Sequence, residues 1–288
     1  MKKSVLFLAL TLFSFTITFS QNAVTIKKIS SKGDPIFFFP HIGCSSEMWK
    51  EVAENLASKN SIYLVDLAGF NGSEPIQDNF TATYLTEVVN YINKNKLKRI
   101  TFIGQNYGAF LAYQVANSIP KKTKAFIGSD FYPKLSMILG NPDQEKLNQF
   151  ITSLRDMTVK TDETTFTNNQ KQIALSMNFI DTTYVNKFVA WQKKSDRNTL
   201  AETLVEQLKG DLIPMFEKNE IPTLVFNTWY FAKNYKKMEL SEAEPMMQSM
   251  FPNAQNVTHK VTEEAKDFIA NDQPEWFVTE VNQFLKDK

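Results

Sequence analysis

Cysteine is almost absent: Cys44 stands alone in 288 residues. No internal disulfide can form, so packing alone must hold the fold even in an oxidising compartment. Histidine is nearly as scarce, with His41 and His259 the two in the chain. Chemistry that needs an imidazole base has few places to come from. There is no surplus of charge, 32 basic residues standing against 31 acidic ones. That balance removes long-range attraction to nucleic acid or anionic lipid. The one basic cluster, Lys94 to Arg99, falls at a helix-to-strand junction and reads as a solvated turn. No His/Cys/Asp spacing suggests a metal site, and no cofactor is expected. Glycine is sparse too, at nine residues, and Gly43, Gly69, Gly72, Gly104 and Gly108 sit in short motifs. Glycine in such places answers a backbone demand.

What is present is apolar bulk. Hydrophobic residues make up 43% of the chain, with 24 Phe, enough to bury a sizeable core and to exclude disorder. The length suits one large α/β domain with an inserted subdomain. Residues 1–20 look like a signal peptide: Met1-Lys2-Lys3, an uncharged apolar run from Ser4 to Phe19, and small residues at Thr18 and Ser20. The run falls short of the ~20 residues a spanning helix needs. Cleavage before Gln21 would leave 30 basic against 31 acidic residues. The expected location is the periplasm or the exterior, with no membrane insertion after cleavage.

From Ile36 onward, strand and helix patterns alternate. Ile36 to Phe39, Ile62 to Val65, Ile100 to Ile103 and Ala125 to Ile127 are short apolar runs of the kind buried on both faces. Helical spacing lies between them, at Met48 to Leu56, Tyr84 to Ile92 and Ala109 to Ser118. This order predicts a mostly parallel sheet with helices on both faces. The pattern changes after Pro133. Residues 135–216 show helical faces without strand signal and read as a cap inserted between the core parts 21–134 and 217–288. Strands resume at Thr223 to Phe226 and Val257 to Val261, and a closing helix starts at Pro274.

Four segments then carry a resemblance: Phe38 to Trp49 (FFPHIGCSSEMW), Asp66 to Ser73 (DLAGFNGS), Ile103 to Gly108 (IGQNYG), and Lys266 to Phe277 with its Pro-Glu-Trp-Phe end. Together they resemble the α/β-hydrolase superfamily over roughly Pro35 to Leu285. More closely they are similar to a branch of exported proteins assigned as hydrolases. The resemblance implies an α/β-hydrolase fold with a helical cap. It also implies a serine at the elbow and a histidine before the last helix.

Neither is there. The elbow residue is Asn106, and an amide cannot be activated by proton removal as Ser is. The histidine position holds Asp267. Asp130, after the strand ending at Ile127, fits one of the two acid positions of the superfamily, and it also fits a turn-capping carboxylate. Asn106 can donate and Asp267 can accept, so the two are expected to face each other. By analogy, the backbone N–H groups of Ile42 and Tyr107 would hold an anionic oxygen.

His41 has two readings: a relocated acid or base paired with Asp130 or Asp267, or a loop histidine satisfied by backbone groups. His259 reads as structural, Cys44 as a packed small residue, and Ser45, Ser46 and Ser129 lack an evident base. Tyr107, Phe131, Tyr132, Trp229, Tyr230 and Trp191 are expected to line the crevice, where open α/β sheets bind ligands. The expected function is binding of a small apolar or amphipathic molecule, or an accessory role. The alternative is an esterase-like or lyase-like enzyme rebuilt on His41.

Overall fold

The computed structural model describes residues 22–140, 142–286 and 288. The expected signal segment, residues 1–20, lies outside the described residues. The chain begins with the strands β1 (Val24–Lys28) and β2 (Pro35–Phe39), followed by α1 (Lys50–Leu56) and β3 (Ser61–Leu67). Next come α2 (Phe80–Lys94), β4 (Ile100–Gln105), α3 (Tyr107–Ser118) and β5 (Thr123–Ser129). A helical stretch follows: α4 (Gln144–Val159), α5 (Glu163–Ile173), α6 (Val185–Lys194), α7 (Arg197–Lys209) and α8 (Ile213–Lys218). The chain closes with β6 (Thr223–Thr228), α9 (Tyr230–Lys236), α10 (Leu240–Ser249), β7 (Val257–Thr262), α11 (Ile269–Asp272) and α12 (Pro274–Lys286).

The seven strands form one sheet in the order β1-β3-β2-β4-β5-β6-β7, with β1 antiparallel and the rest parallel. The period of two along β2 explains how both faces are covered. Phe37 and Phe39 join Tyr84, Val88 and Leu111 of α2 and α3 on one face. Ile36 and Phe38 join Val52 of α1 and Phe277 of α12 on the other. Trp49 is fully buried there, its Nε1–H donating to the Phe39 carbonyl at 3.0 Å.

Four elements escaped the sequence reading, β1, α9, α10 and the four-residue α11. β1 (Val-Thr-Ile-Lys-Lys) buries mainly its first residue and turns its lysines to solvent at the sheet edge. That pattern protects an edge but lacks the apolar run of a central strand. Helices α9 and α10 carry few buried residues, and α10 has Pro245 inside it.

The helices α4 to α8 insert between β5 and β6, and no strand occurs among the described residues of this stretch. The insertion is fastened to the core at α6 and α7. Ser195 Oγ donates to the Gly43 carbonyl at 3.0 Å and accepts from Asn71 N–H at 2.9 Å, and Asp196 N–H donates to the Gly69 carbonyl at 2.8 Å. Gly69, at φ +83°, lies so near that a Cβ there would sit 2.5 Å from Thr199 Oγ1.

A second fastening joins the π-helical turn Ala174–Asn178 to the loop before α11. Asp267 N–H donates to the Met177 carbonyl at 3.2 Å, and Phe268 N–H donates to the Asn178 carbonyl at 3.0 Å. Among the described residues no helix is long and apolar enough to cross a membrane.

Candidate functional site

The elbow backbone is intact. Asn106 sits between β4 and α3 at φ 50°, ψ −117°, a region that non-glycine residues rarely adopt. Gly108 lets α3 approach the strand loop closely, since a Cβ there would fall 2.2 Å from the Pro40 carbonyl oxygen. Asp66 supports the same end of the sheet. Its carboxylate accepts from Ser46 N–H at 2.6 Å, from Ser46 Oγ at 2.8 Å and from Ser45 Oγ at 3.2 Å. Ser45 and Ser46 are thereby committed to holding the start of the next helix.

At the elbow itself, both ends of the Asn106 amide are engaged. Its Nδ2 donates to Asp130 Oδ2 at 3.1 Å, and its Oδ1 accepts from the Tyr107 N–H at 2.8 Å. Two expectations change here. The partner of the amide is Asp130, not Asp267. The Tyr107 N–H, expected to be open for an anionic oxygen, is capped by the preceding side chain. The Ile42 N–H makes no hydrogen bond among the described residues.

Asp130 and Asp267 are brought together nonetheless. Burial pushes the Asp130 carboxyl up to about 7, against the pull of the Asn106 hydrogen bond. Burial, and then the neighbouring Asp130 charge, pushes Asp267 well above the usual carboxylate range. The Asp267 carboxylate accepts no hydrogen bond from any described residue. Near neutral pH the pair therefore holds on to a proton, as two carboxyls placed close together do.

His41 is not paired with either carboxylate. Its Nδ1 donates to the Ile42 carbonyl at 2.9 Å, and its ring packs on Phe268 with centroids 4.9 Å apart. Burial lowers its pKa to about 4, so the imidazole is neutral at neutral pH. Of its two readings, the geometry matches the histidine satisfied by a backbone group. Cys44 is 1% exposed and burial pushes its thiol up, away from the reactive range. His259 lies in β7 with its ring against Phe251 at 5.1 Å.

The expected aromatic lining is corrected. Tyr107 is fully buried in the core, its hydroxyl 2.8 Å from Thr81 Oγ1. Phe131 is buried among Phe126, Tyr113 and Phe216, and Trp191 packs in the core below α6. Trp229 packs with Ala243 and Met247 beneath α10. Tyr107, Phe131 and Trp191 went into the core because the helices close over them, while Tyr132, Trp229 and Tyr230 stay half-buried and do not line the cavity. A cavity of about 230 Å³ lies instead between the His41-Ile42 loop and the insertion, lined by Leu154, Phe166, Asn178, Phe188, Gln192 and Leu204 among others. Of the residues expected to bind ligand, Ile42 reaches it. The insertion residues carried no motif, so sequence reasoning had no signal for them. Among the described residues no group of three or more His, Cys, Asp or Glu is placed to hold a metal ion.

Comparison with known proteins adds to this geometry. A family model described as alpha/beta hydrolase fold matches residues 34–150. A biotin biosynthesis bifunctional protein of Cellvibrio japonicus is 32% identical over 100 residues, covering 32% of this chain and 19% of that protein. A pimeloyl-acyl-carrier-protein methyl ester esterase of Citrobacter koseri is 28% identical over 85 residues, covering 30% of this chain and 32% of that protein. The matched stretches thus span less than a third of these relatives' lengths. Among solved structures, an esterase from Exiguobacterium antarcticum is similar with a TM-score of 0.72 at 16% identity, covering 91% of this chain and 95% of its own. An esterase from Thermogutta terrifontis has a TM-score of 0.73 at 14% identity, covering 92% and 93%. At such identities the structures speak for the fold.

Proposed function

We propose that this chain, which has the α/β-hydrolase fold, has given up serine hydrolysis at the elbow and binds a small apolar or amphipathic molecule. The observation that carries this reading is the double engagement of Asn106. The residue supplies no nucleophile, and its own oxygen caps the Tyr107 donor at 2.8 Å. A hydrolase needs that donor open, because stabilising the oxyanion is commonly the largest single contribution to acyl transfer. The cavity of about 230 Å³ between the His41-Ile42 loop and the insertion supplies the binding half of the reading.

The test is hydrolysis of a p-nitrophenyl ester series by the purified protein. The expected rate equals that of buffer and is unaffected by His41→Ala. Turnover that His41→Ala abolishes would sink the reading in favour of an enzyme rebuilt on His41. The proposal includes export to the periplasm or exterior. Intact mass measurement of the protein recovered outside the inner membrane is expected to find a chain starting at Gln21. Recovery of the full chain in the cytoplasm would refute export.

A further inference from the structure

We propose that the cavity selects uncharged ligands, and that Asn178 recognises a carboxamide or similar carbonyl-bearing group on them. The inference rests on the binding reading above and adds the class of ligand to it.

The lining contains no carboxylate, lysine or arginine. Its polar members are His41, Thr158 and four carboxamides, Asn169, Gln170, Asn178 and Gln192. Gln192 is already committed, its Nε2 donating to the Ile42 carbonyl at 2.8 Å. Asn178 is not. It is 4% exposed, its Nδ2 has no partner, and its side chain makes no hydrogen bond among the described residues. A buried amide left unpaired is a standing cost that a ligand able to pair with it would relieve.

The position of that amide is set by backbone. Asn178 ends the π-helical turn, and its carbonyl accepts from Phe268 N–H at 3.0 Å while the adjacent Met177 carbonyl accepts from Asp267 N–H at 3.2 Å. Lys266 Nζ ties the same turn through the Leu175 carbonyl at 2.6 Å. The side chain is therefore held at the cavity wall whether or not a ligand is present, which is the pre-organisation a binding site needs.

An amide offers a donor and an acceptor together, so its best complement is another uncharged group with both, such as a primary carboxamide. The neighbouring ring agrees: with Nδ1–H given to the Ile42 carbonyl, the His41 Nε2 is an acceptor. No cation lines the cavity, the Arg197 guanidinium that packs on Phe166 being already bonded to the Thr158 carbonyl at 2.8 Å, and burying a carboxylate's charge there is strongly unfavourable. The apolar remainder, including Leu154, Phe166, Leu200 and Leu204, suits a short hydrocarbon body. At about 230 Å³ the cavity falls below the ~300–1,000 Å³ of drug-sized ligand sites, which limits that body to a short chain.

Octanamide and octanoate share one body and differ in charge, so they test the idea directly. By titration calorimetry at neutral pH, octanamide is expected to bind at least about tenfold more tightly than octanoate. Asn178→Leu, close in volume, is expected to weaken octanamide by about tenfold and to shrink the ratio between the two ligands. The ratio in the parent protein needs no variant, so the inference stays testable if Asn178→Leu fails to fold. Equal or tighter binding of octanoate overturns the inference and leaves the binding reading standing. An unchanged ratio in Asn178→Leu overturns the role of that residue. Absence of binding by either ligand overturns both the inference and the binding reading. Ester turnover together with amide selectivity overturns the non-catalytic reading and supports the ligand class.

Discussion

The paired substitution Asn106→Ser with Asp267→His is expected to hydrolyse p-nitrophenyl butyrate at least ~10³-fold faster than the parent chain, since a positioned base alone contributes ~10²–10⁴-fold. The grounds are geometric. The elbow keeps its strained turn at φ 50°, ψ −117°, which lifts a serine hydroxyl to the end of the sheet. Replacing Asn106 removes the oxygen that caps Tyr107 N–H, reopening one donor beside the open Ile42 N–H. Asp130, freed from the amide, lies near enough to Asp267 to perturb its ionisation, and so can orient a histidine placed there. Each single variant should stay within about tenfold of buffer, because a nucleophile without a base, or a base without a nucleophile, fails as a unit. Steady-state rates on all four proteins check this. A folded double variant with no turnover would show that more than two side chains has been lost.

The second large effect concerns stability. A carboxyl whose pKa is raised on folding is protonated in the folded chain but ionised in the unfolded one between about 4 and, for Asp130, about 7. The folded state then binds the extra proton, so stability falls as pH rises through that window and is greatest below it. Asp267, also raised by burial and by the Asp130 charge, adds to the loss. Ionising this closely placed pair is therefore unfavourable in the folded chain. Asp130→Asn removes one of the two charges. It suits the backbone, since position 130 sits at φ 45°, where asparagine is well tolerated. It also keeps an oxygen for the Asn106 donor. The variant is expected to melt about 5 °C or more above the parent near pH 8, and close to it near pH 4. Thermal melts across pH decide it. Parallel pH profiles for parent and variant would show that the pair does not titrate as argued.

The sheet could be read from the chain because its central strands are buried on both faces. Ile36 to Phe39 has no alternation to misjudge. β1 was hidden because an antiparallel edge strand with outward lysines looks like a polar loop. The place of Asn106 at the turn between β4 and α3 was legible because the glycines around it fix the frame. The partner of Asn106 was not. Which of two carboxyls meets the amide depends on how the chain turns after β5, and the left-handed backbone at Asp130 decides it. The lining was misjudged for a related reason. Aromatics just after strand ends are exposed in a bare sheet but become core once helices pack over them, as Phe131 does against Phe216 of α8 and Phe251.

The elbow also bears on how a molecule trades reactivity for robustness. A rare backbone conformation costs on the order of 1–3 kcal/mol. An enzyme carries that cost in the resting state and recovers it in the transition state, when the waiting donor meets new charge. Here the recovery occurs in the resting state. The Asn106 oxygen meets the Tyr107 donor and the Asn106 amide meets Asp130, and each such bond contributes roughly 1 kcal/mol. The local strain is offset within one residue and its neighbours, with nothing held back for a reacting partner. An asparagine at this elbow thus makes a place of stored tension a place of rest.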